Sequence, residues 1–263
     1  MPRIPVGKIA GGAGPDTKKR SAWLPIVGAA ILGAVVGMQW ATRPRREWLA
    51  DSIGGWAVRH GLASAEAAGA FGRAFHQNVD RLLPGLAIYL IFGLYWLAAS
   101  NNRAEDSAPE SFGSSSIHKV LVNLSLLLIC MPLPGLTLRL VPSTPLWLAI
   151  GLLVEAGGVA LAIAARRALG RNWSREVRIA VGHELVTSGP YARLRHPIYT
   201  GALCVSLGLA IVSGLLSAFV GFALLILAYI RKIALEERLL ANAFGPEFIQ
   251  YRASSWALIP FLI

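Results

Sequence analysis

The chain has 263 residues, of which 55% are hydrophobic, and its mean hydropathy is +0.55. A soluble domain needs charged and polar residues for its surface, so this composition excludes an ordinary soluble globular protein. The formal net charge of +11 does not indicate nucleic acid as a partner, because the arginines and lysines flank apolar runs, where they meet the headgroups of membrane lipids.

Apolar runs long enough to cross a membrane follow one another along the chain. A bilayer core of roughly 30 Å needs about 20 apolar helical residues. Runs of this kind occupy residues 22–41, 82–100, 120–138 and 145–165. The run 197–230 would extend about 51 Å as a single helix, which is too long for one span, and Ser213 and Gly214 at its centre predict a turn. We therefore predict an all-α polytopic bundle of about six membrane segments that ends in a hairpin of two short helices.

The first hundred residues leave the topology open. The run 22–41 is too long for a signal-peptide core, so we interpret it as a retained span. If the basic segments 166–196 and 231–263 are both cytoplasmic, residues 42–81 lie on the opposite side with six arginines, against the positive-inside tendency. Either the first run does not fully span, or residues 47–78 form an interfacial helix, or the orientation there is reversed.

Glu155 is the ionisable residue that interrupts the fourth run. A carboxyl group inside a membrane suggests function by default, but the surrounding sequence GLLVEAGGVAL favours close helix packing, with a hydrogen bond from Glu155 to an adjacent helix. No His or Cys pair has the spacing of metal ligands, so no metal site is predicted. The two cysteines lie in apolar runs and indicate no disulfide framework.

Polar side chains gather on both sides of the predicted hairpin. Because the two ends of a hairpin lie side by side, the segment before residue 197 and the segment after residue 230 meet at one membrane face. The polar residues that this arrangement brings together are His183, Tyr191, Arg195, His196, Tyr199, Glu236, Glu237 and Tyr251. A convergent polar cluster beside an apolar cavity is the usual anatomy of a small-ligand site.

The sequence of these segments resembles a known family. HELVTSGPYARLRHPIYTG, followed after the hairpin by EERLL and FGPEFIQY, is similar to the isoprenylcysteine carboxyl methyltransferase family over roughly residues 145–263. Membrane methyltransferases that act on phospholipid amines share the RHPxYxG and EE elements. The predicted division is therefore residues 1–140 as N-terminal membrane segments of unknown role and residues 141–263 as a methyltransferase core.

The resemblance implies a methyl donor, S-adenosylmethionine, held at the cytoplasmic side, and a lipophilic or prenylated acceptor that enters from the bilayer. The implied cofactor-binding residues are Arg178, His183, Glu184, Leu185, Val186, Tyr191, Arg195, His196, Pro197, Ile198, Tyr199 and Glu236. Arg231 and Lys232 compete for the position of the family's substrate-contacting arginine. Glu237 is a candidate catalytic residue, since it or His196 would accept a proton from an amine acceptor.

The chemistry of the residues agrees with that reading and leaves the acceptor open. Arginine or histidine suits the donor's carboxylate, and glutamate suits its ammonium or ribose hydroxyls. The best single acceptor is the C-terminal carboxylate of an isoprenylated cysteine, which is already deprotonated near neutral pH. A phospholipid or other lipophilic amine is the alternative, and a small-molecule transporter or a non-catalytic scaffold represents another class. The abundance of Ala, Gly and Arg favours a bacterial inner membrane over the endoplasmic reticulum.

Overall fold

The structure, a computed structural model, describes residues 43–99, 112–170 and 185–259. The secondary structure within these ranges is helical, apart from two isolated β-bridges. The helices are α1 (Arg43–Arg59), α2 (Ala65–Ala99), α3 (Phe112–Cys130), α4 (Pro145–Leu169), α5 (Pro197–Ser213), α6 (Leu216–Phe244) and α7 (Pro246–Ala253), with a 3-10 turn at Gly189–Ala192. The predicted all-α class is confirmed.

Three of the described helices are long and apolar enough to cross a membrane, as expected for an integral membrane protein. These stretches are Ala65–Trp96, Pro145–Leu169 and Leu216–Phe244. Two shorter apolar helices, Ile117–Cys130 and Pro197–Ser213, accompany them. The predicted run 22–41 lies outside the described residues, so the count of about six membrane segments stays a prediction. The predicted run 120–138 extends too far, because α3 ends at Cys130, before Pro132 and Pro134.

The predicted C-terminal hairpin is confirmed. Gly214 lies between α5 and α6 with φ 71°, a left-handed conformation that glycine adopts without a steric penalty. A Cβ atom there would lie 2.6 Å from the carbonyl oxygen of Val141, so the position also requires a missing side chain. The prediction of two short helices is wrong for the second one, since α6 continues past residue 230 to Phe244. The additional residues include alanine, leucine, glutamate and arginine, which favour helix.

Helices α4 and α5 pack through glycines, which allow their backbones to approach closely. A Cβ atom on Gly158 would lie 2.6 Å from the carbonyl oxygen of Gly201, and one on Gly208 would lie 2.5 Å from that of Gly151. Gly201 faces the same contact, since a Cβ atom there would lie 2.6 Å from the carbonyl oxygen of Gly158. This contact fixes α5, which begins directly after His196 and carries Tyr199 of the polar cluster, against α4.

The expected hydrogen bond from Glu155 to a neighbouring helix is wrong. The side chain is fully buried, and neither carboxyl oxygen has a hydrogen-bond partner among the described residues. The helix that faces it presents Gly85, where an added Cβ would lie 3.0 Å from Glu155 Oε2. Glycine offers no side-chain donor, and its backbone N–H belongs to the helical hydrogen bonds of α2. Gly85 therefore packs closely against Glu155 without donating a hydrogen bond to it.

Candidate functional site

The site lies at the open end of the hairpin, where α5 begins and where α6 leaves its apolar part. Pro197 is the first residue of α5, a position that proline favours because its missing N–H would have had no helical partner. Before it, Gly189 turns the chain with φ 61° into the 3-10 turn that buries Tyr191. The polar segment therefore folds back over the hairpin end.

Glu236 of α6 is tied to α5. The Tyr199 hydroxyl donates a hydrogen bond to Glu236 Oε2 at 2.9 Å, and His196 Nδ1 lies 3.6 Å from the same oxygen. The Glu236 side chain is 31% exposed, so its carboxylate is both held in place and accessible. This combination suits a group that binds the polar end of a ligand.

Glu237 forms the buried part of the same cluster. Arg195 Nε donates to Glu237 Oε1 at 2.8 Å, and His196 Nε2 lies 3.3 Å from that oxygen. The exposed fractions are 9% for the Arg195 side chain, 11% for Glu237 and 3% for His196. Because a buried charge needs a partner, the arginine and the carboxylate compensate each other. On the outer side, Arg252 Nε lies 3.5 Å from Glu237 Oε2.

Four rings form a continuous aromatic row from the polar cluster to α3. The His196 and Tyr199 rings are stacked with centroids 5.6 Å apart, and Tyr199 stacks on Tyr229 at 4.9 Å. The His118 ring of α3 follows at 5.7 Å from Tyr229. Lys232 Nζ lies 5.6 Å from the centroid of the Tyr199 ring, within the usual range of a cation–π contact. The row gives the charged cluster an apolar wall on the side that faces α3.

Most of the predicted polar cluster is brought together by the fold. The residues that meet at this end are Tyr191, Arg195, His196, Tyr199, Glu236, Glu237 and Tyr251. Three predicted cofactor-binding residues, Arg178, His183 and Glu184, lie outside the described residues. The ligand-binding and catalytic roles assigned to the whole set stay predictions.

The remaining predicted residues differ in position. Leu185 and Val186 lead into the 3-10 turn and are half-buried, as is Ile198 in the first turn of α5. Between the two competing cations, Lys232 is half-buried over Tyr199, whereas Arg231 is exposed. The geometry therefore places Lys232, rather than Arg231, beside the aromatic row.

Two members of the aromatic row were missed from the sequence. Tyr229 and Tyr199 are equally far along the chain from the turn at Gly214, so pairing the two helices residue by residue would have placed them at the same depth. His118 offered no such signal, since it belongs to α3 and reaches the row through packing of α3 on α6, with Nδ1 3.3 Å from the carbonyl oxygen of Ala228. Within the described residues, no group of three or more His, Cys, Asp or Glu side chains is arranged to hold a metal ion.

Comparison with known proteins finds relatives for the part of the chain that contains this site. Residues 146–247 match the phospholipid methyltransferase family. The cobalt-zinc-cadmium resistance protein CzcN of Cupriavidus metallidurans is 38% identical over 119 residues, 44% of this chain and 50% of that protein. Human protein-S-isoprenylcysteine O-methyltransferase is 33% identical over 120 residues, 44% of this chain and 42% of the human protein. The corresponding protein A of Arabidopsis thaliana is 30% identical over 115 residues, or 43% and 58% of the two chains.

These matches confirm the resemblance to isoprenylcysteine carboxyl methyltransferases within the C-terminal part of the chain. The chain spans about half the length of the curated relatives it matches. The solved structure of the eukaryotic intramembrane Ras methyltransferase ICMT aligns with 86% of this chain and 97% of its own, at 18% identity and a TM-score of 0.46. A TM-score below 0.5 does not establish a common fold, so the relationship rests on the sequence matches.

Proposed function

We propose that this protein is an integral membrane methyltransferase that transfers a methyl group from S-adenosylmethionine to a lipophilic acceptor. The observation that carries the proposal is the paired cluster at the open hairpin end, where Tyr199 and His196 hold Glu236 and where Glu237 is compensated by Arg195. The cluster lies beside a wall of aromatic rings and inside the segment that matches a methyltransferase family.

The described residues fit the polar ends of the proposed donor. The accessible carboxylate of Glu236 suits its ammonium or ribose hydroxyls. His196, whose two ring nitrogens lie 3.6 Å from Glu236 Oε2 and 3.3 Å from Glu237 Oε1, would line the pocket and hold the Glu236 carboxylate in place for the donor. The faces of Tyr199 and Tyr191 provide flat apolar surfaces for an adenine. Leu185 and Val186 would line the pocket through backbone and side chains, and Arg178, His183 and Glu184 complete the proposed set.

When bound, the donor supplies a methyl carbon that is activated by a positively charged sulfur. The protein then has to align the acceptor with that carbon and exclude water, because no bond in the acceptor needs to be broken when it is a carboxylate. The aromatic row excludes water on the membrane side. Tyr199 fixes the orientation of Glu236, and the Arg195 and Glu237 pair fixes the imidazole of His196.

The proposed acceptor is the C-terminal carboxylate of an isoprenylated cysteine. Lys232 supports this choice, since its ammonium lies over the Tyr199 ring and would attract an anionic group to the apolar wall. A carboxylate is ionised near neutral pH and needs no proton acceptor. The acceptor would approach from the bilayer with the reaction on the cytoplasmic side, in a bacterial inner membrane or, alternatively, in the endoplasmic reticulum.

A phospholipid or other lipophilic amine is the second candidate acceptor, because the family that matches residues 146–247 is named for phospholipid methylation. An amine would need a group that removes its proton. The obvious base is Glu237, but Oε1 of that carboxylate already accepts a hydrogen bond from Arg195 and lies near His196. Engagement in an ion pair weakens a carboxylate as a base, which favours the carboxylate acceptor.

Methyl transfer by the detergent-purified full chain tests the proposal. The donor is radiolabelled S-adenosylmethionine, and the acceptors are S-farnesylcysteine, its C-terminal amide and phosphatidylethanolamine. We expect label on farnesylcysteine and none on the amide, which keeps the prenyl group but lacks the carboxylate. Label on phosphatidylethanolamine alone would establish the amine alternative, and label on none of a broad acceptor panel would contradict the enzymatic assignment.

A further inference from the structure

A short segment after α7 supports the site from beyond residues 146–247, the part of the chain that matches the phospholipid methyltransferase family. This C-terminal strap, residues 255–258, runs beside the residues that precede α5 and forms a parallel bridge between Leu194 and Trp256. The backbone N–H of Arg195 donates to the Trp256 carbonyl at 2.8 Å, and that of His196 donates to Ala257 at 3.1 Å. Hydrogen bonds from the strap therefore fix the backbone of His196.

Side-chain hydrogen bonds reinforce the same contact at both of its ends. On α7, the Tyr251 hydroxyl donates to the Tyr191 carbonyl at 2.7 Å and lies 3.4 Å from that of Leu194. Burial raises the pKa of Tyr251 to about 12, so the phenol keeps its proton near neutral pH and can donate. At the other edge, the Thr200 hydroxyl donates to the Leu258 carbonyl at 2.7 Å.

Arg195 joins the strap to the carboxylate cluster. Its Nε donates to Glu237, and its Nη1 donates to the carbonyl oxygens of Ser255 and Arg252, the latter at 3.1 Å. The side chain is 9% exposed. The buried guanidinium is thus directed at the strap and at α6. Its Nε and Nη1 donors are already engaged by acceptors within the protein, so they are not held ready for the carboxylate of a ligand.

We propose that the strap, with Tyr251 and Arg195, is a positioning device that holds His196 and Tyr191 ready for the methyl donor, and that Arg195 and Glu237 act through His196 without contacting donor or acceptor. The proposal rests on the function proposed above. It reassigns Arg195, which the sequence resemblance gave as a cofactor ligand, and Glu237, which was predicted as a catalytic proton acceptor for an amine. It also places positioning residues beyond residues 146–247, which match the phospholipid methyltransferase family.

The segment 189–196 needs this support because its backbone is irregular. A non-helical segment must satisfy its backbone N–H and C=O groups with external partners, and the strap and Tyr251 supply them here. Holding such a segment before the ligand arrives removes the ordering cost from the binding step. Loosening the strap should therefore lower donor affinity much more than the turnover of the loaded enzyme.

Hydrogen exchange tests the strap without any ligand. Tyr251→Phe removes the hydroxyl but keeps the ring against Phe248, whose centroid is 6.4 Å away. Ser254→Ala is the matched control, because the Ser254 hydroxyl lies near the carbonyls of Gln250 and Tyr251, next to the same helix. In the full chain we expect the amides of residues 189–196 to exchange about tenfold faster in Tyr251→Phe and unchanged in Ser254→Ala.

Equal exchange in Tyr251→Phe and wild type would overturn the proposal. Should Tyr251→Phe fail to fold, Thr200→Val releases the strap from its other edge and carries the same expectation. With S-adenosylhomocysteine as the probe, Tyr251→Phe should bind about tenfold more weakly, while kcat at saturating donor stays within about twofold. The reverse split, with kcat lost and affinity kept, would contradict a positioning role.

A second probe, decarboxylated S-adenosylhomocysteine, distinguishes a positioning role of Arg195 from direct binding of the donor carboxylate. If Arg195 acts through His196 on Glu236, Arg195→Met weakens the binding of both thioethers by the same factor, because both carry the ammonium and ribose that Glu236 would meet. An arginine that binds the donor carboxylate would instead weaken only the binding of the intact thioether. That selective loss would overturn the reassignment. If the wild type binds neither thioether, the proposed function fails, and the exchange comparison still decides whether the strap holds the segment.

Discussion

The two ends of the C-terminal hairpin both depend on arginine, but they use it differently. At the turn, Arg81 Nε donates to the Val212 carbonyl at 2.8 Å, and Arg139 Nη1 donates to Ser213 at 3.1 Å. These are the last carbonyls of α5, which have no partner within the helix and attract positive charge. At the open end, Arg195 instead faces the carboxylate of Glu237 beside an imidazole.

The difference shows what separates a structural arginine from one in a site. At the turn, Arg81 also donates to the Ser143 hydroxyl and to the Thr144 carbonyl, so its described partners are neutral oxygens that fix a loop. At the open end, Arg195 also donates to carbonyl oxygens, but it pairs with a carboxylate as well, and the neighbouring Glu236 remains accessible. The same comparison bears on topology, because Arg81 is one of the six arginines within residues 42–81, and capping α5 explains its presence without reference to membrane sidedness.

The largest expected effect is a loss of stability when the arginine at the turn end of the hairpin is replaced. Arg81→Met leaves the Val212 carbonyl at the end of α5 without its side-chain donor and removes the hydrogen bonds to Ser143 and Thr144. We expect the free energy of unfolding to fall by about 3 kcal/mol. Arg73→Met, an exposed arginine on the same helix, should change it by less than about 0.5 kcal/mol. Urea unfolding in mixed micelles measures both, and equal stabilities of the two variants would contradict the capping role.

The next largest effect is on affinity for the methyl donor, and it occurs without a loss of stability. Glu236→Gln keeps the shape of the side chain but removes the charge that the ammonium or ribose hydroxyls would meet. We expect affinity for S-adenosylhomocysteine to fall about 30-fold, since hydrogen bonds to charged groups contribute about 1.5–3 kcal/mol. Affinity equal to that of the wild type would remove Glu236 from the pocket.

A smaller effect concerns the acceptor. Lys232→Met should raise KM for the carboxylate acceptor about tenfold, because it removes a cation from the desolvated aromatic wall. Arg231→Met is the matched control on the neighbouring, exposed position and should change KM less than about twofold. A larger change for Arg231 than for Lys232 would reverse the assignment.

The smallest effect tests the orientation of Glu236. Tyr199→Phe removes the hydroxyl that donates to Glu236 Oε2 at 2.9 Å but keeps the stacked ring. We expect donor affinity to fall about fivefold, as for one hydrogen bond of about 1 kcal/mol. Tyr199→Leu, which also removes the ring, should bind more weakly still, and identical affinities for the two variants would show that stacking contributes nothing.

The sequence predicted those parts of the molecule that follow from local pattern. Apolar length and the glycine at residue 214 predicted the hairpin, and the hairpin in turn brought His196, Tyr199 and Glu236 to one end. The strap could not be predicted, because its bridge between Leu194 and Trp256 joins distant segments through backbone groups that every residue carries. His118 and Arg81 were missed for the same reason, since their contacts depend on how α3 and α2 pack.

Two other outcomes show where local reasoning ends. The sequence around Glu155 correctly indicated close packing, but not that the neighbouring helix would present a glycine instead of a donor. The end of α6 depended on helix propensity beyond the apolar run, whereas the prediction followed hydrophobicity alone. The roles of Arg178, His183 and Glu184 stay predictions, because these residues lie outside the described ranges.

The most direct test of the central claim, that the open end of the hairpin binds the methyl donor, is calorimetry of S-adenosylhomocysteine with the purified full chain. Wild type, Glu236→Gln at the open end and Arg81→Met at the turn are compared at a temperature where all three are folded. We predict micromolar binding by the wild type and Arg81→Met and a large loss in Glu236→Gln. No binding by folded wild type, or equal binding by all three, would contradict the account.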